Sequence, residues 1–383
     1  MKSFLQQTLA SKHLSKFALS LSLGALVACG GGTTPAANGA DSVTTASTAT
    51  ATASGATVIP TANSTSTAYT LVADIGDTWT ISFDSSNNTY AVTMVATQFS
   101  LTGTSGAYAS SKSGTFTTYV LANGKGTVVV DERTKAISGN MTVGTKTATV
   151  TGTAYQATDL SKLAGTYNFI YNTRNQSNGQ YKDTGAGQLK INAAGTVATL
   201  CSNGTVNALN TCDVIDTSGT AELNTLNLAL VNGAVIVSYA GVEWGRLHIH
   251  AGDLGTALII DRYGVNGDGI LRVGAMYAVK SQALSTTAAN GTWICHELGA
   301  PSSTVAISGA AVTFPNGSGN ATNQNIRYNE IAGTSAYFAA NGWFNSGAAT
   351  TAIGDRTNGI LLSSSLMVII EEYGYTSVCR KSS

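Results

Sequence analysis

From Tyr69 onward the chain alternates apolar and polar positions. Trp79, Ile81 and Phe83 share one side of an extended segment, Asp84-Ser-Ser-Asn-Asn88 reads as a turn, and Tyr90, Val92 and Met94 resume the alternation. That pattern predicts a hairpin. Asn123-Gly124 and Asn232-Gly233 are dipeptides that accept positive φ at both central positions of a type I′ turn. The second has Leu226, Leu228 and Leu230 before it and Val235, Val237 and Tyr239 after it, making it the strongest hairpin signal in the chain. Gly267-Asp268-Gly269 separates two further strand-like runs in the same way. Turn signals recur roughly every 8 to 12 residues with no long helical stripe between them. The expected class is all-β, with tandem small antiparallel sandwiches or barrels following an unstructured amino-terminal tether.

A faint repeat divides the β region. Gly76-Asp-Thr-Trp79, Gly165-Thr-Tyr167 and Gly291-Thr-Trp293 each open a strand. Leu189-Lys-Ile191 with Asn203-Gly204, and Val305-Ala-Ile307 with Asn316-Gly317, follow the second and third openings. Three units are therefore expected, at residues 69–156, 159–286 and 288–383. Gly-x-Trp at a first strand is similar to the opening of lipocalin- and avidin-like barrels, which implies barrels; the ligand-binding positions of those families are not matched. Good strand-opening chemistry, with an aromatic plug in each core, accounts for the same residues.

The amino-terminal region reads differently. Lys2, Lys12 and Lys16 precede a mainly apolar stretch from Phe17 to Ala28, too short to span a bilayer but right for a signal peptide. It closes on Leu26-Val27-Ala28-Cys29. This resembles the lipobox of bacterial lipoproteins, which implies cleavage before Cys29, a diacylglyceryl group on its thiol and a further acyl chain (palmitate or similar) on the new amino terminus. Several chains give stable anchoring where one does not. In the proteobacterial lipoproteins it resembles, Asp after the cysteine favours inner-membrane retention; Gly30 stands there instead, which implies the outer membrane. Residues 1–28 are thus the expected signal peptide and 29–68 the lipidated cysteine with its tether. Gly, Thr, Ala and Ser fill that tether; it cannot bury enough surface to hold a fold, and about 39 such residues would reach roughly 35 Å.

Composition narrows the function. Lys and Arg number 20, as do Asp and Glu, for a formal charge of zero. A nucleic-acid binder needs a basic surplus to neutralise phosphates. Four cysteines remain after Cys29, an even number in an oxidising compartment. Of the three possible pairings, Cys201 with Cys212 would staple a hairpin, and Cys295 with Cys379 would tie the first strand of the last unit to its last. A thiolate metal site is disfavoured by the absence of any C-x-x-C pair.

One segment carries candidate chemistry: Glu243-Trp-Gly-Arg-Leu-His-Ile-His250. On a strand, Trp244, Arg246, His248 and His250 would share one face, opposite Leu247 and Ile249. Two imidazoles so spaced can share a metal, as in cupin-type barrels. The cupin spacing fails, however: Gly241 stands one residue too early, and 254 and 255 are Leu and Gly. The other readings are a small-ligand surface with Trp244 as stacking platform, or a solvated outer face. No Gly-x-Ser-x-Gly elbow occurs. Paired carboxylates occur at Glu371-Glu372 and at Asp74 with Asp77 before Trp79. Glu371 and Glu372, adjacent on a strand, would face opposite ways, and glycosidase chemistry by residues brought together from afar has no support in the sequence. The function expected is a membrane-anchored, non-enzymatic binding or envelope-structural lipoprotein. It would have no cofactor and no nucleic-acid partner, with carbohydrate or protein as ligand. The alternative is a hydrolase-type or metal-binding protein acting on saccharide or peptide in the envelope.

Overall fold

The computed structural model describes residues 56–58, 66–180, 183–215, 220–265, 269–297, 302–313, 324–332, 337–348, 357–371 and 376–382. Cys29, the signal peptide, Glu372 and Asn316-Gly317 lie outside them.

The described chain is all-β. It forms three closed antiparallel barrels of eight strands each, in simple up-and-down order. The first runs from the strand Ser66–Ala73 to Lys146–Thr153, the second from Gly165–Asn175 to Leu271–Lys280, and the third from Gly291–Glu297 to Thr376–Lys381. First and last strands pair to close each barrel, over nine residue pairs in the second and five in the third. Closure removes the open edges on which a lone sheet would aggregate.

Two expectations need correction. The tether was expected to be structureless to residue 68, but Ala56–Val58 pairs as a strand with Tyr155–Ala157, and the first barrel strand begins at Ser66. Ala-Thr-Val has the β-branched content to take an edge already offered. Trp79 also does not open its barrel: it sits on Asp77–Asp84, the second strand. In the other two barrels the Gly-Thr-aromatic segment does lie on the first strand.

Inward positions are filled by side chains. Trp79, Tyr167, Phe169 and Trp293 are completely buried. Large rings fit because the facing strand offers glycine. Tyr90 lies opposite Gly106, Phe169 opposite Gly187, Tyr171 opposite Gly185 and Phe344 opposite Gly359. A Cβ on Gly187 would stand 2.8 Å from Phe169 Cζ and would also run into the Cys201 carbonyl. Gly187→Ala is therefore expected to cost about 1–3 kcal/mol by overpacking, read as a lowered urea midpoint; an unchanged midpoint would mean that the ring is not held against the glycine.

The second and third barrels repeat a floor. Tyr167 Oη donates to the Leu163 carbonyl at 2.8 Å, and Trp293 Nε1 donates to the Ala289 carbonyl at the same distance. Each ring carries a lysine from the last strand, Lys280 at 4.8 Å and Lys381 at 5.6 Å. Gly165 and Gly291 occupy positive φ, where a side chain would strike those lysines. The connectors thus cap the barrels they lead into: Tyr155, Ala157 and Leu163 join the second core, and Ala289 joins the third.

The barrels are fused by a further apolar cluster built from outward-facing residues. Val72 and Ala136 of the first barrel, Ile259, Ala275 and Tyr277 of the second, and Trp343, Ile360 and Val368 of the third are all buried in it. Strands buried on both faces read as nearly continuous apolar runs. Ala257-Leu-Ile-Ile260 and Ala275-Met-Tyr-Ala-Val279 are such runs.

Candidate functional site

The His segment lies on the strand Val242–Gly252 of the second barrel. Leu247 and Ile249 point into the barrel core. Trp244 departs from expectation. The register slips between Val237 and Ser238, so that Gly245 and Glu243 are paired and Trp244 is the extra residue. A bulge re-aims its side chain. Trp244 packs against the inner core, with the Arg262 guanidinium 3.7 Å above its ring. The expected row of four is therefore a row of three.

That row is not a solvated face either. His248 retains 9% exposure and His250 none, because the first barrel covers them. His248 Nε2 lies 3.4 Å from Thr78 Oγ1, and Thr78 donates to Asp261 Oδ2 at 2.5 Å. Arg246 Nε reaches Glu243 Oε1 at 3.0 Å and Tyr263 Oη at 3.3 Å, and its Nη1 donates to the Val95 carbonyl of the first barrel. Neither ring nitrogen of His250 has a protein partner.

Asp253, in the turn that follows the histidine strand, does not complete a ligand set with them. It binds Arg133 of the first barrel and accepts from the Ser364 amide of the third at 2.8 Å. Arg133 also reaches Asp131 at 3.2 Å, and Ser365 Oγ donates to Asp131 at 2.6 Å. Residues from all three barrels meet in this clasp, and sequence spacing carries no signal for it. Among the described residues no group of three His, Cys, Asp or Glu stands ready to hold a metal.

The paired carboxylates are likewise occupied. Asp74 accepts from the Thr149 amide and lies 3.6 Å from Arg174 of the second barrel. Asp77 accepts from the Gln98 amide at 2.7 Å and from Trp79 Nε1. His296 is half-buried on the first strand of the third barrel. Glu371 ends the next-to-last strand of that barrel. The cysteines join as Cys201–Cys212 and Cys295–Cys379.

Burial sets the ionisation of this interface. It lowers both His248 and His250 to about 4; the positive charge of Arg246 adds to the fall at His248, while Asp131 and Asp253 oppose it at His250. Burial raises Asp74 to about 6 against the pull of Arg174, and holds Asp261 well above the carboxylate range. A histidine at 4 when folded and 6.5 when unfolded contributes stability that is complete above pH 6.5 and lost as pH falls toward 4, about 3 kcal/mol each. The raised aspartates act oppositely, losing stability as pH rises above 3.8 toward their folded values. The two pairs offset each other, so the profile of urea midpoints is expected to be shallow between pH 4 and 6.5. Asp261→Asn removes one opposing group, and its midpoint should fall more steeply than the parent's on acidification; parallel profiles would disprove this balance.

No protein-family model and no characterised protein matches the sequence. Similar solved structures include isotype 1 transferrin binding protein B from serogroup B Neisseria meningitidis, 10% identical over 80% of this chain and 66% of that chain, with a TM-score of 0.17. Another is a double mutant of transferrin binding protein B from Haemophilus parasuis Hp5, 8% identical over 80% and 65%, also with a TM-score of 0.17. The chain spans just under two thirds of the length of those structures. At such scores the likeness assigns neither a role nor a residue correspondence.

Proposed function

We propose that this chain is an exported lipoprotein, anchored through Cys29 to the outer membrane, whose fused barrels serve in binding or envelope structure without catalysis. The anchor rests on the Leu26-Val27-Ala28-Cys29 box, and the observation that supports a role without catalysis is the burial of His248 and His250 between two barrels. A hydrolase built on them would need its saccharide or peptide to reach imidazoles of which one is 9% exposed and the other fully buried. The tryptophans agree: three are fully buried, and Trp244 lies beneath Arg262, so a sugar platform made of indole rings has no support. Protein is then the favoured ligand class over carbohydrate.

Two measurements test this. Mass spectrometry of the mature protein should find acyl chains on Cys29, and Cys29→Ala should move the protein from the membrane to the soluble fraction. The double variant His248→Gln/His250→Gln, assayed on peptidoglycan, glycan and peptide panels beside the parent, should show no activity to lose. Turnover by the parent that the double variant lacks would replace this proposal with the enzyme.

A further inference from the structure

We propose that one end of the second barrel is a docking face for a protein whose contact surface holds an apolar pocket edged by lysine or arginine. This rests on the binding role proposed above and names the surface that performs it.

The end in question is where Ser202 and Glu222, Tyr239 and Val242, and Val265 and Leu271 mark the strand termini. Between Ser202 and Glu222 the chain makes an excursion, a small hairpin of Gly204–Val206 and Cys212–Val214. The Cys201–Cys212 disulfide staples it to the barrel wall. Its loop is organised by one side chain. Asn207 Oδ1 accepts from the Leu209 and Thr211 amides at 3.0 Å each, and Asn207 Nδ2 donates to Thr211 Oγ1 at 2.7 Å and Asp213 Oδ1 at 3.0 Å. The residue this arrangement presents is Leu209, 83% exposed. A fixed loop loses little conformational entropy when it docks, so an apolar side chain held this way is well suited to be an anchor.

Leu209 is not alone. Val214, Leu223, Tyr239, Val242 at 68% and Val265 at 67% exposure lie at the same end. The strands bearing Leu223, Tyr239, Val242 and Val265 are consecutive neighbours around the barrel wall. They form an arc, and grouped apolar exposure of this kind marks interaction sites where scattered single residues do not.

Charge decides the occupant. Among the described residues at this end, the exposed charged ones are acidic, Asp213 and Glu222. The arginines are drawn inward: Arg262 lies over Trp244, Arg272 is 4% exposed, and Arg246 is tied to Glu243. A second copy of the same face would set carboxylate against carboxylate, and an anionic bilayer surface would be repelled. A basic-edged protein pocket complements both the apolar arc and its border.

The test uses the full lipidated chain in cells. A photo-crosslinking amino acid is placed at Leu209 and, as a control, at Val120, which is exposed on the first barrel. The protein joined at position 209 is identified, purified and titrated by calorimetry against the parent chain and its variants. Leu209→Asp/Val242→Asp is expected to weaken binding at least 100-fold with an unchanged melting temperature. Glu222→Gln should weaken it several-fold and flatten its salt dependence. Cys201→Ser/Cys212→Ser, which keeps Leu209 but frees the loop, should weaken it about tenfold. Parental affinity in the double aspartate variant overturns the proposal, as does binding to anionic vesicles or self-association that the same variant abolishes. Crosslinking confined to position 120 overturns this face while leaving the binding role standing; no adduct at either position counts against both.

Discussion

Replacing Cys295 and Cys379 together by alanine is expected to cost about 4.5 kcal/mol. The two cysteines are 84 residues apart and face each other across the pair of strands that closes the third barrel. In the chain-entropy model a loop of that length, once released, gains the unfolded state roughly this much freedom. Closure of this barrel rests on five residue pairs, against nine in the second, so the bond reinforces a shorter closing ladder. Urea titration followed by tryptophan fluorescence would report the change, since Trp293 lies on the same strand as Cys295. A loss below about 1 kcal/mol would mean that the ladder alone holds the barrel shut.

A comparable loss is expected from Ile259→Asp, on different grounds. Ile259 is fully buried, but outside its own barrel, in the apolar cluster shared by all three. A carboxylate there would stand in an apolar seam opposite His248, an imidazole kept neutral by burial, and must stay charged or take up a proton; the penalty expected is about 3–5 kcal/mol. The manner of failure is the more informative part. Each barrel keeps its own inward core, so weakening the seam should separate a single unfolding transition into several, with protease cutting first at residues 154–164 and 281–290. One cooperative transition at a lowered midpoint would show instead that the barrels do not hold a fold apart.

Much of this architecture was readable in the amino-acid order. The alternation through Trp79, Ile81 and Phe83 does pair with Tyr90, Val92 and Met94, and Asn232-Gly233 does turn Leu226–Val231 back onto Ala234–Tyr239. Period-two patterning states which side of a strand is apolar. It does not state what an outward apolar residue meets. Leu258-Ile259-Ile260 signals burial on both faces, yet nothing in those residues names a neighbouring barrel more than a hundred residues away. The His row went astray for the same reason. Polar outward residues are ordinarily wet, and the cover over His248 and His250 comes from the first barrel. Trp244 was misplaced by one bulge, which inverts every parity argument upstream of it. The clasp at Asp253 was not legible because its partners, Arg133 and Ser364, come from the barrels on either side of its own in the chain.

An up-and-down barrel with an even number of strands brings its chain back beside the point of entry. Each of these barrels therefore begins and ends at adjoining strands, and a connector of ten or eleven residues suffices to start the next. Such units behave as cassettes: one can be duplicated, lost or exchanged without rethreading the others, provided its outer apolar stripe still finds a companion. The limit on lengthening this protein is then lateral. It lies in how many sides of a cylinder can be kept dry at once, while enough mouths stay open to the surroundings.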